Sequence, residues 1–178
     1  IRLILMLAIL VFCINIFSIQ ITNSGLEFLN LWLENNIFQV FFVLLCFLFI
    51  INGANLIDGY NGLLAIHFLI INFILLGINF TNQHYDMVLI LTFQIIIMSS
   101  FLLFNFPRAR IFLGDAGSYL CGSLIAINII KTHQLNPQTS SFFYTSILFY
   151  LFYEVFFSFI RKFTKKKSPL NPDRFHLH

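Results

Sequence analysis

Charged side chains are scarce in this sequence. Lys, Arg, Asp and Glu together account for 10% of the residues, whereas hydrophobic residues account for 59%. A soluble domain of this length needs a much larger charged surface, so that class of protein is excluded. Long apolar runs fill most of the chain instead. The composition therefore predicts one membrane domain over residues 1–178.

Cysteine is also sparse, and its positions form no functional pattern. Cys13, Cys46 and Cys121 lack the short spacings of a metal site, and an odd number cannot form a closed set of disulfides. All three fall within apolar runs. We therefore interpret them as small buried apolar residues.

The apolar runs have lengths typical of membrane-spanning helices, which need about 20 apolar residues. Six candidate spans lie near residues 2–21, 37–51, 63–80, 87–104, 118–130 and 141–160. The second and fifth runs are short, so their helices are expected to borrow residues from the flanking polar segments. The predicted fold class is all-α, a polytopic transmembrane helical bundle with about six spans in this chain.

Basic residues predict the orientation of the bundle. With the N-terminus in the cytosol, the outer loops contain only Lys131 of the ten Lys and Arg residues. The other nine lie in inner segments and are Arg2, Arg108, Arg110, Arg161, Lys162, Lys165, Lys166, Lys167 and Arg174. This positive-inside bias explains the net charge of +3 as a topology signal, with no nucleic-acid-binding surface.

The first inner segment concentrates polar residues and glycines. Asn52, Asn55 and Asp58 recur at every third position, so on a helical end they share one broad stripe. Glycines at positions 53, 59 and 62 allow turns and a close approach of the backbone to a ligand. A polar helix cap would account for one of these side chains but not for all three, which favours a ligand site.

Asp115 lies at the start of the fifth span, between Gly114 and Gly117. A carboxylate is favourable at a helix N-terminus, and Ser118 is a candidate capping residue. A charge at the bilayer centre costs about 2.5–3.5 kcal/mol, however, so carboxylates near membrane depth usually serve a function. Asp58 and Asp115 at two cytosolic helix ends suggest a site for a hard cation. Proteins commonly bind Mg²⁺ through one or two carboxylates together with substrate phosphates.

The third inner segment, residues 161–178, ends in a basic and histidine-bearing motif. His176 and His178 alternate, so on an extended strand they would face the same way as each other. A histidine pair could alternatively bind zinc, but no cysteine or third histidine lies near His176 and His178 to complete such a site. Together with Arg174, they fit the recognition of an anionic phosphate better.

Several polar residues are expected inside the membrane. Glu154 lies seven residues before Arg161, roughly 10 Å from the cytosolic helix end, so it needs a partner or a polar cavity. His67 is interpreted as structural, because no acidic residue lies near it in sequence. Four amides are expected to form hydrogen bonds between helices, namely Asn72, Asn79, Gln94 and Asn128.

Three motifs occur in a fixed order along the chain: NLIDG at residues 55–59, FLGDAGS at 112–118 and SPLNPDRFHLH at 168–178. Together they resemble the polyprenyl-phosphate N-acetylhexosamine-1-phosphate transferases of glycosyltransferase family 4. The resemblance is greatest to the branch that uses UDP-GlcNAc and undecaprenyl phosphate. The branch that uses a muramoyl-pentapeptide nucleotide usually ends in an uninterrupted histidine run, which this chain lacks.

The chain departs from the family pattern at several positions. The family carries an adjacent pair of aspartates before the span that resembles 2–21, and no such pair occurs here. Asn61 stands where the family tends to have a second acid, and Leu151 and Glu154 stand where it shows Pro and Asp. The terminal motif of the family usually continues past His178. We therefore expect that N-terminal spans and a C-terminal remainder are missing from this sequence.

The resemblance implies an enzyme of the bacterial inner membrane with its active site facing the cytosol. It would transfer N-acetylhexosamine-1-phosphate from a UDP-sugar to polyprenyl phosphate and release UMP, with Mg²⁺, or alternatively Mn²⁺, as cofactor. The lipid tail would lie in a groove between spans, and a homodimer is left open.

The resemblance also assigns roles to individual residues. Asp115 and Asn55 are the expected metal ligands, and Asp58 and Asp115 the catalytic residues. The expected substrate-binding residues are Asn52, Asn55, Arg174, His176 and His178. A membrane transporter or a non-catalytic subunit or fragment is the alternative, although transporter sites favour the bilayer midplane and no inverted repeat is visible here.

Overall fold

The computed structural model describes residues 10–12, 14–16, 18–21 and 23–164, and this part of the chain is helical with no strand. Residues 10–12 and 14–16 are helical. Seven further helices follow, which are α1 (Glu27–Leu33), α2 (Asn36–Ile57), α3 (Leu63–Thr81), α4 (Tyr85–Asn105), α5 (Gly114–Leu135), α6 (Ser141–Ile147) and α7 (Phe149–Thr164). The predicted all-α class is confirmed.

Local sequence signals define where the central helix begins and ends. The Asn35 side-chain oxygen accepts hydrogen bonds from the backbone N–H groups of Ile37 and Phe38, which caps the N-terminus of α2. At the other end, the N–H of Asp58 donates to Ala54 O, and α2 stops. Gly62 then takes a left-handed conformation, φ +78°, that lets α3 begin after a short turn.

Helix α2 is the centre of the bundle and packs against α5, α7 and α1, while α3 packs against α4 and α5. Two glycines permit close crossings with α2. A Cβ at Gly122 would lie 2.7 Å from Ile51 Cα, and a Cβ at Gly53 would lie 2.9 Å from the Leu151 carbonyl oxygen. Small residues at such crossings bring helix backbones together in membranes.

Within the described residues, three helices are long and apolar enough to cross a membrane, namely α2, α3 and α4. They confirm the predicted spans at 37–51, 63–80 and 87–104. The predicted span at 141–160 is the pair α6 and α7, bent by 63°, and counting this pair as one span raises the number to four.

The expectation of about six spans is therefore wrong for the described residues. The predicted span at 118–130 lies in α5, which is long enough but not apolar enough to qualify. The predicted span at 2–21 lies mostly outside the described residues.

The polar side chains of α5 form hydrogen bonds with α3 and α4. Asn128 Nδ2 lies 3.0 Å from Asn72 Oδ1 and 2.6 Å from Gln94 Oε1. Asn72 Nδ2 donates to the same Gln94 oxygen at 3.1 Å, so one amide from each helix closes a triad. Asn79 of α3 likewise donates to Thr132 of α5 at 2.9 Å. The predicted role of these amides between helices is confirmed.

Antiparallel neighbours give the bundle two chemically different ends. The segments 52–62 and 105–118 lie together at one end, which we call the motif end. At the opposite end, His84 Nε2 lies 3.0 Å from Leu135 O, and Gln138 donates to Asn82 at 3.2 Å.

Candidate active site at the motif end

The first two sequence motifs meet in space where α2 ends and α5 begins. Asn55 Nδ2 donates to Ser118 Oγ at 3.1 Å, and Ser118 Oγ donates to the carbonyl oxygen of Asp115 at 3.0 Å. Ser118 is completely buried. Ser118 does not cap α5, because Leu113 occupies the N-cap position and no side chain caps the helix. The Ser118 hydroxyl instead connects the two motifs.

Asp58 and Asp115 are the two carboxylates of this site. Asp58 lies just beyond the last residue of α2 and is partly buried, while Asp115 lies in the first turn of α5 and is exposed. Burial, with a further contribution from the negative charge of Asp115, raises the pKa of Asp58 from 3.8 to about 6. The two carboxylates are therefore near enough to repel each other.

Asn52 does not take part in the contact between the motifs. It is exposed, and its Nδ2 donates at 2.7 Å to Leu48 O of its own helix. Of the three residues at this spacing, Asn55 donates a hydrogen bond to α5 and Asp58 lies near Asp115, whereas Asn52 bonds to its own helix.

One buried side chain that sequence reasoning missed connects the two loops of the motif end. Asn105, at the end of α4, is only 6% exposed. Its Oδ1 accepts a hydrogen bond from the Gly62 N–H, and its Nδ2 donates to Ile111 O at 2.7 Å. A second link joins the loops where Asn61 Nδ2 donates to Pro107 O at 3.3 Å. The available signal was a lone amide at the end of an apolar helix, directly before Phe106 and Pro107.

Glu154 has the partner that its burial requires. It is 1% exposed, and the Tyr150 hydroxyl, one turn earlier in α7, donates a hydrogen bond to it. The His67 ring of α3 lies 5.6 Å from the Tyr150 ring, and its Nε2 is buried without a hydrogen-bond partner. His67 therefore packs against Tyr150, the same residue that binds Glu154.

The remaining candidate residues are the C-terminal cations and histidines and the cysteines. Arg174, His176 and His178 lie outside the described residues, as do Cys13, Lys165, Lys166 and Lys167. Cys46 and Cys121 are free thiols, of which Cys121 is buried and Cys46 partly so. Among the described residues, no group of three His, Cys, Asp or Glu side chains could hold a metal ion by itself.

An apolar cavity of about 440 Å³ lies between α2, α5 and the α6–α7 pair. It is lined by residues such as Phe42, Phe49, Ile129, Phe142 and Leu148. The predicted site residues that the structure describes, Asn52, Asn55, Asp58 and Asp115, do not line this cavity.

Comparison with known proteins gives this site its context. The profile of glycosyl transferase family 4 matches residues 1–133, a range that includes the first two motifs. An undecaprenyl-phosphate alpha-N-acetylglucosaminyl 1-phosphate transferase from Thermotoga maritima is 33% identical over 142 residues, which cover 80% of this chain and 42% of the relative. A phospho-N-acetylmuramoyl-pentapeptide-transferase from Streptococcus agalactiae is 33% identical over 122 residues, which cover 66% of this chain and 36% of the relative.

The chain spans less than half the length of these two relatives. Their equal identities do not separate the two branches that they represent. No solved structure matches the chain significantly. The match of the family profile over three quarters of the chain is decisive by itself, and this chain belongs to glycosyl transferase family 4.

Proposed function

We propose that the complete protein transfers N-acetylhexosamine-1-phosphate from a UDP-sugar to polyprenyl phosphate and releases UMP. The observation that carries this proposal is the contact between the first two motifs, through Asn55 and Ser118, in a chain of this family. Both relatives carry names that denote sugar-phosphate transferases, which supports the same class of transfer. Residues 1–178 would form one part of the membrane domain of that protein.

The donor atoms of the site fit a hard divalent cation. Asp115 offers an exposed carboxylate, and Asn55 engages Ser118 through Nδ2, which leaves Oδ1 available as a ligand. Asp58 would be a neighbour of the metal or a further ligand. Mg²⁺, or alternatively Mn²⁺, suits these oxygens and requires only one or two protein carboxylates when substrate phosphates complete its shell. When bound, the ion would neutralise charge on the phosphate oxygens.

The residues of the chain would mainly bind and orient the two substrates. A phosphate monoester has a second pKa near 6, so the lipid phosphate is largely dianionic at neutral pH and needs no strong general base. Phosphoryl transfer then depends on positioning and on charge stabilisation. We assign Asn52, Arg174, His176 and His178 to contacts with the nucleotide sugar. The apolar cavity near the α6–α7 bend would accommodate part of the lipid tail.

The location of the enzyme follows from the same assignment. We propose that the motif end faces the cytosol of a bacterial inner membrane, where UDP-sugars are available. Arg108 and Arg110 lie at this end, and Lys131 lies in the last turns of α5 toward the opposite end, as the positive-inside rule requires.

The transporter alternative finds less support. Transporter sites are typically at the bilayer midplane. In this bundle, the amides at the middle of α3, α4 and α5 bind one another in the Asn72, Gln94 and Asn128 triad. Their hydrogen-bonding groups are directed at each other, which leaves little capacity for a polar cargo.

The test is to incubate the complete protein in detergent with polyprenyl phosphate and a panel of UDP-sugars, and to measure UMP and lipid-linked product. We expect one UDP-N-acetylhexosamine to give stoichiometric amounts of both. Asp115→Asn should abolish turnover, because an amide is a poorer ligand for a hard cation. Asp86→Asn, which removes an exposed carboxylate at the opposite end, is the matched control. A fully active Asp115→Asn variant would refute the site, and a protein inactive with every UDP-sugar would refute the function.

A further inference from the structure

We propose that Asn105 and Asn61 form an amide clamp that positions Asp58 and Asp115 relative to each other. This inference rests on the proposed function, because it assigns a purpose to the spacing of the two carboxylates. In this view Asn105 and Asn61 are positioning residues, which act on the reaction through the loops that they hold.

Asn105 forms hydrogen bonds with backbone groups close in sequence to both carboxylates. It binds the Gly62 N–H, four residues after Asp58, and Ile111 O, four residues before Asp115. A single buried side chain thus fixes both loops at equal sequence distances from the two acids. The two hydrogen bonds of Asn105 therefore restrain the chain on the approach to each carboxylate.

The side-chain amide of Asn105 has the donor and the acceptor that its two bonds need. Its oxygen accepts from a backbone N–H while its nitrogen donates to a backbone carbonyl. Aspartate has no proton to donate at neutral pH, and an apolar residue would leave two buried backbone groups unpaired. The 6% exposure of Asn105 makes replacement of these bonds by water unfavourable.

Gly62 shows how closely the first loop lies against the end of α4. Its φ of +78° disfavours any other residue. A Cβ at this position would also lie 3.0 Å from Phe106 Cδ2 and 3.1 Å from Leu102 Cδ1. The first loop is therefore seated on α4 by both backbone shape and the hydrogen bond to Asn105.

Asn61 supplies the second point of the clamp. Its Nδ2 donates to Pro107 O at 3.3 Å, and this bond requires a donor. A carboxylate at position 61 would place its oxygens against the carbonyl oxygen of Pro107 and repel it. The amide at position 61 is thus matched to the second loop.

Hydrogen exchange of the metal-free complete protein tests the clamp without reference to turnover. In Asn105→Ala, the Gly62 amide should exchange at least about tenfold faster, which equals about 1.4 kcal/mol of lost protection. Asn105→Asp keeps an acceptor for Gly62, so its Gly62 protection should be retained. Asn82→Ala removes a side-chain hydrogen bond with Gln138 at the opposite end and should leave the exchange rate of the Gly62 amide unchanged. Unchanged exchange at Gly62 in Asn105→Ala would overturn the clamp.

Kinetics test whether the clamp positions the site. In Asn105→Ala and Asn105→Asp, the Mg²⁺ concentration for half-maximal rate should rise at least about fivefold, while KM for the UDP-sugar changes less than about twofold. Asn61→Asp should show the same split. If the wild-type protein is active and all three variants keep its Mg²⁺ dependence, the clamp does not position the site. The proposed function would still stand. Higher activity in Asn61→Asp would mean that position 61 contacts substrate as an acid, which also overturns the proposal. If the wild-type protein turns over no UDP-sugar, the proposed function fails and the exchange result alone decides the clamp.

Discussion

The side-chain amide of Asn55 donates to the hydroxyl of Ser118 at 3.1 Å, although 63 positions separate these residues in the chain. The Ser118 hydroxyl uses its only proton for Asp115 O, so it must act as the acceptor toward Asn55. This arrangement dictates which half of the amide faces Ser118. The Asn55 oxygen is consequently the half that is directed away from α5 and available to a ligand.

Loss of the Ser118 hydroxyl should disturb both the fold and the site. In Ser118→Ala, the partly buried Asn55 N–H group loses its partner, which we expect to lower the free energy of unfolding by about 1–2 kcal/mol. The measurement is denaturant unfolding of the complete protein in detergent. Ser123→Ala is the matched control, because the Ser123 hydroxyl bonds only to Tyr119 O in its own helix. Equal losses in the two variants would contradict the special role of Ser118.

The two glycines at positions 122 and 77 should respond oppositely to alanine. A Cβ at Gly122 would lie 2.7 Å from the Ile51 backbone, so Gly122→Ala must separate α2 from α5 and lower stability by about 1–3 kcal/mol. A Cβ at Gly77 meets nothing within 4 Å, so Gly77→Ala should be neutral or stabilise α3 by up to about 1 kcal/mol. Thermal unfolding of both variants decides the matter, and a tolerated Gly122→Ala would contradict the close crossing.

The sequence was sufficient to predict features that depend on composition and local pattern. Apolar run length identified α2, α3 and α4, because a helix in lipid must satisfy its own backbone and present apolar side chains. Lone amides such as Asn72 and Asn128 indicated hydrogen bonds between helices, since an amide exposed to lipid is unfavourable. The meeting of Asn55 with the second motif followed from topology, as both lie at helix ends on one side.

Features that depend on three-dimensional packing were not predictable. In the sequence, Asn105 looked like an ordinary polar residue at the end of a helix. Its link between the two loops exists only because the fold brings Gly62 and Ile111 next to its side chain. The 63° bend between α6 and α7 occurs without a proline in either helix, so no local signal marked it. Asn52 followed the expected spacing, but its amide bonds to Leu48 O of its own helix, a local contact that the spacing does not reveal.

The C-terminal arm should contain two functionally different groups of cations. Lys165, Lys166 and Lys167 are best explained by topology and by attraction to anionic headgroups, at about 1 kcal/mol each. Arg174 and His176 follow two prolines, which restrict helix continuation and favour a defined extended turn.

We therefore expect Lys165→Ala to change activity little. Arg174→Ala and His176→Ala should each reduce kcat/KM for the UDP-sugar at least about tenfold, or about 1.4 kcal/mol of transition-state stabilisation. Steady-state kinetics of variants of the complete protein, with expression checked by blot, provide the test. Equal losses in all three variants would mean that the arm acts as bulk charge.

The raised pKa of Asp58 predicts a conflict between stability and function. Its pKa is about 6 in the folded protein and 3.8 for an unperturbed Asp, so the folded state retains the proton to higher pH. Between these two values the folded state binds more protons than the unfolded state, and stability falls as pH rises through that window. Ionised Asp58 therefore destabilises the metal-free fold above about pH 6, through burial and through repulsion from Asp115.

Asp58→Asn should consequently raise the Tm of the metal-free protein at pH 8 and change it little at pH 4, where the native side chain is already protonated. The same variant should lose most of its turnover, because a neutral side chain no longer supports a cation or substrate at this site. Mg²⁺ should raise the Tm of the wild-type protein at pH 8 more than that of the variant, since a bound cation offsets the repulsion between the carboxylates. Thermal unfolding at both pH values, with and without Mg²⁺, measures all of these effects. Asp86→Asn is the control, and a variant at position 58 that is less stable than wild type at pH 8 would contradict the electrostatic account.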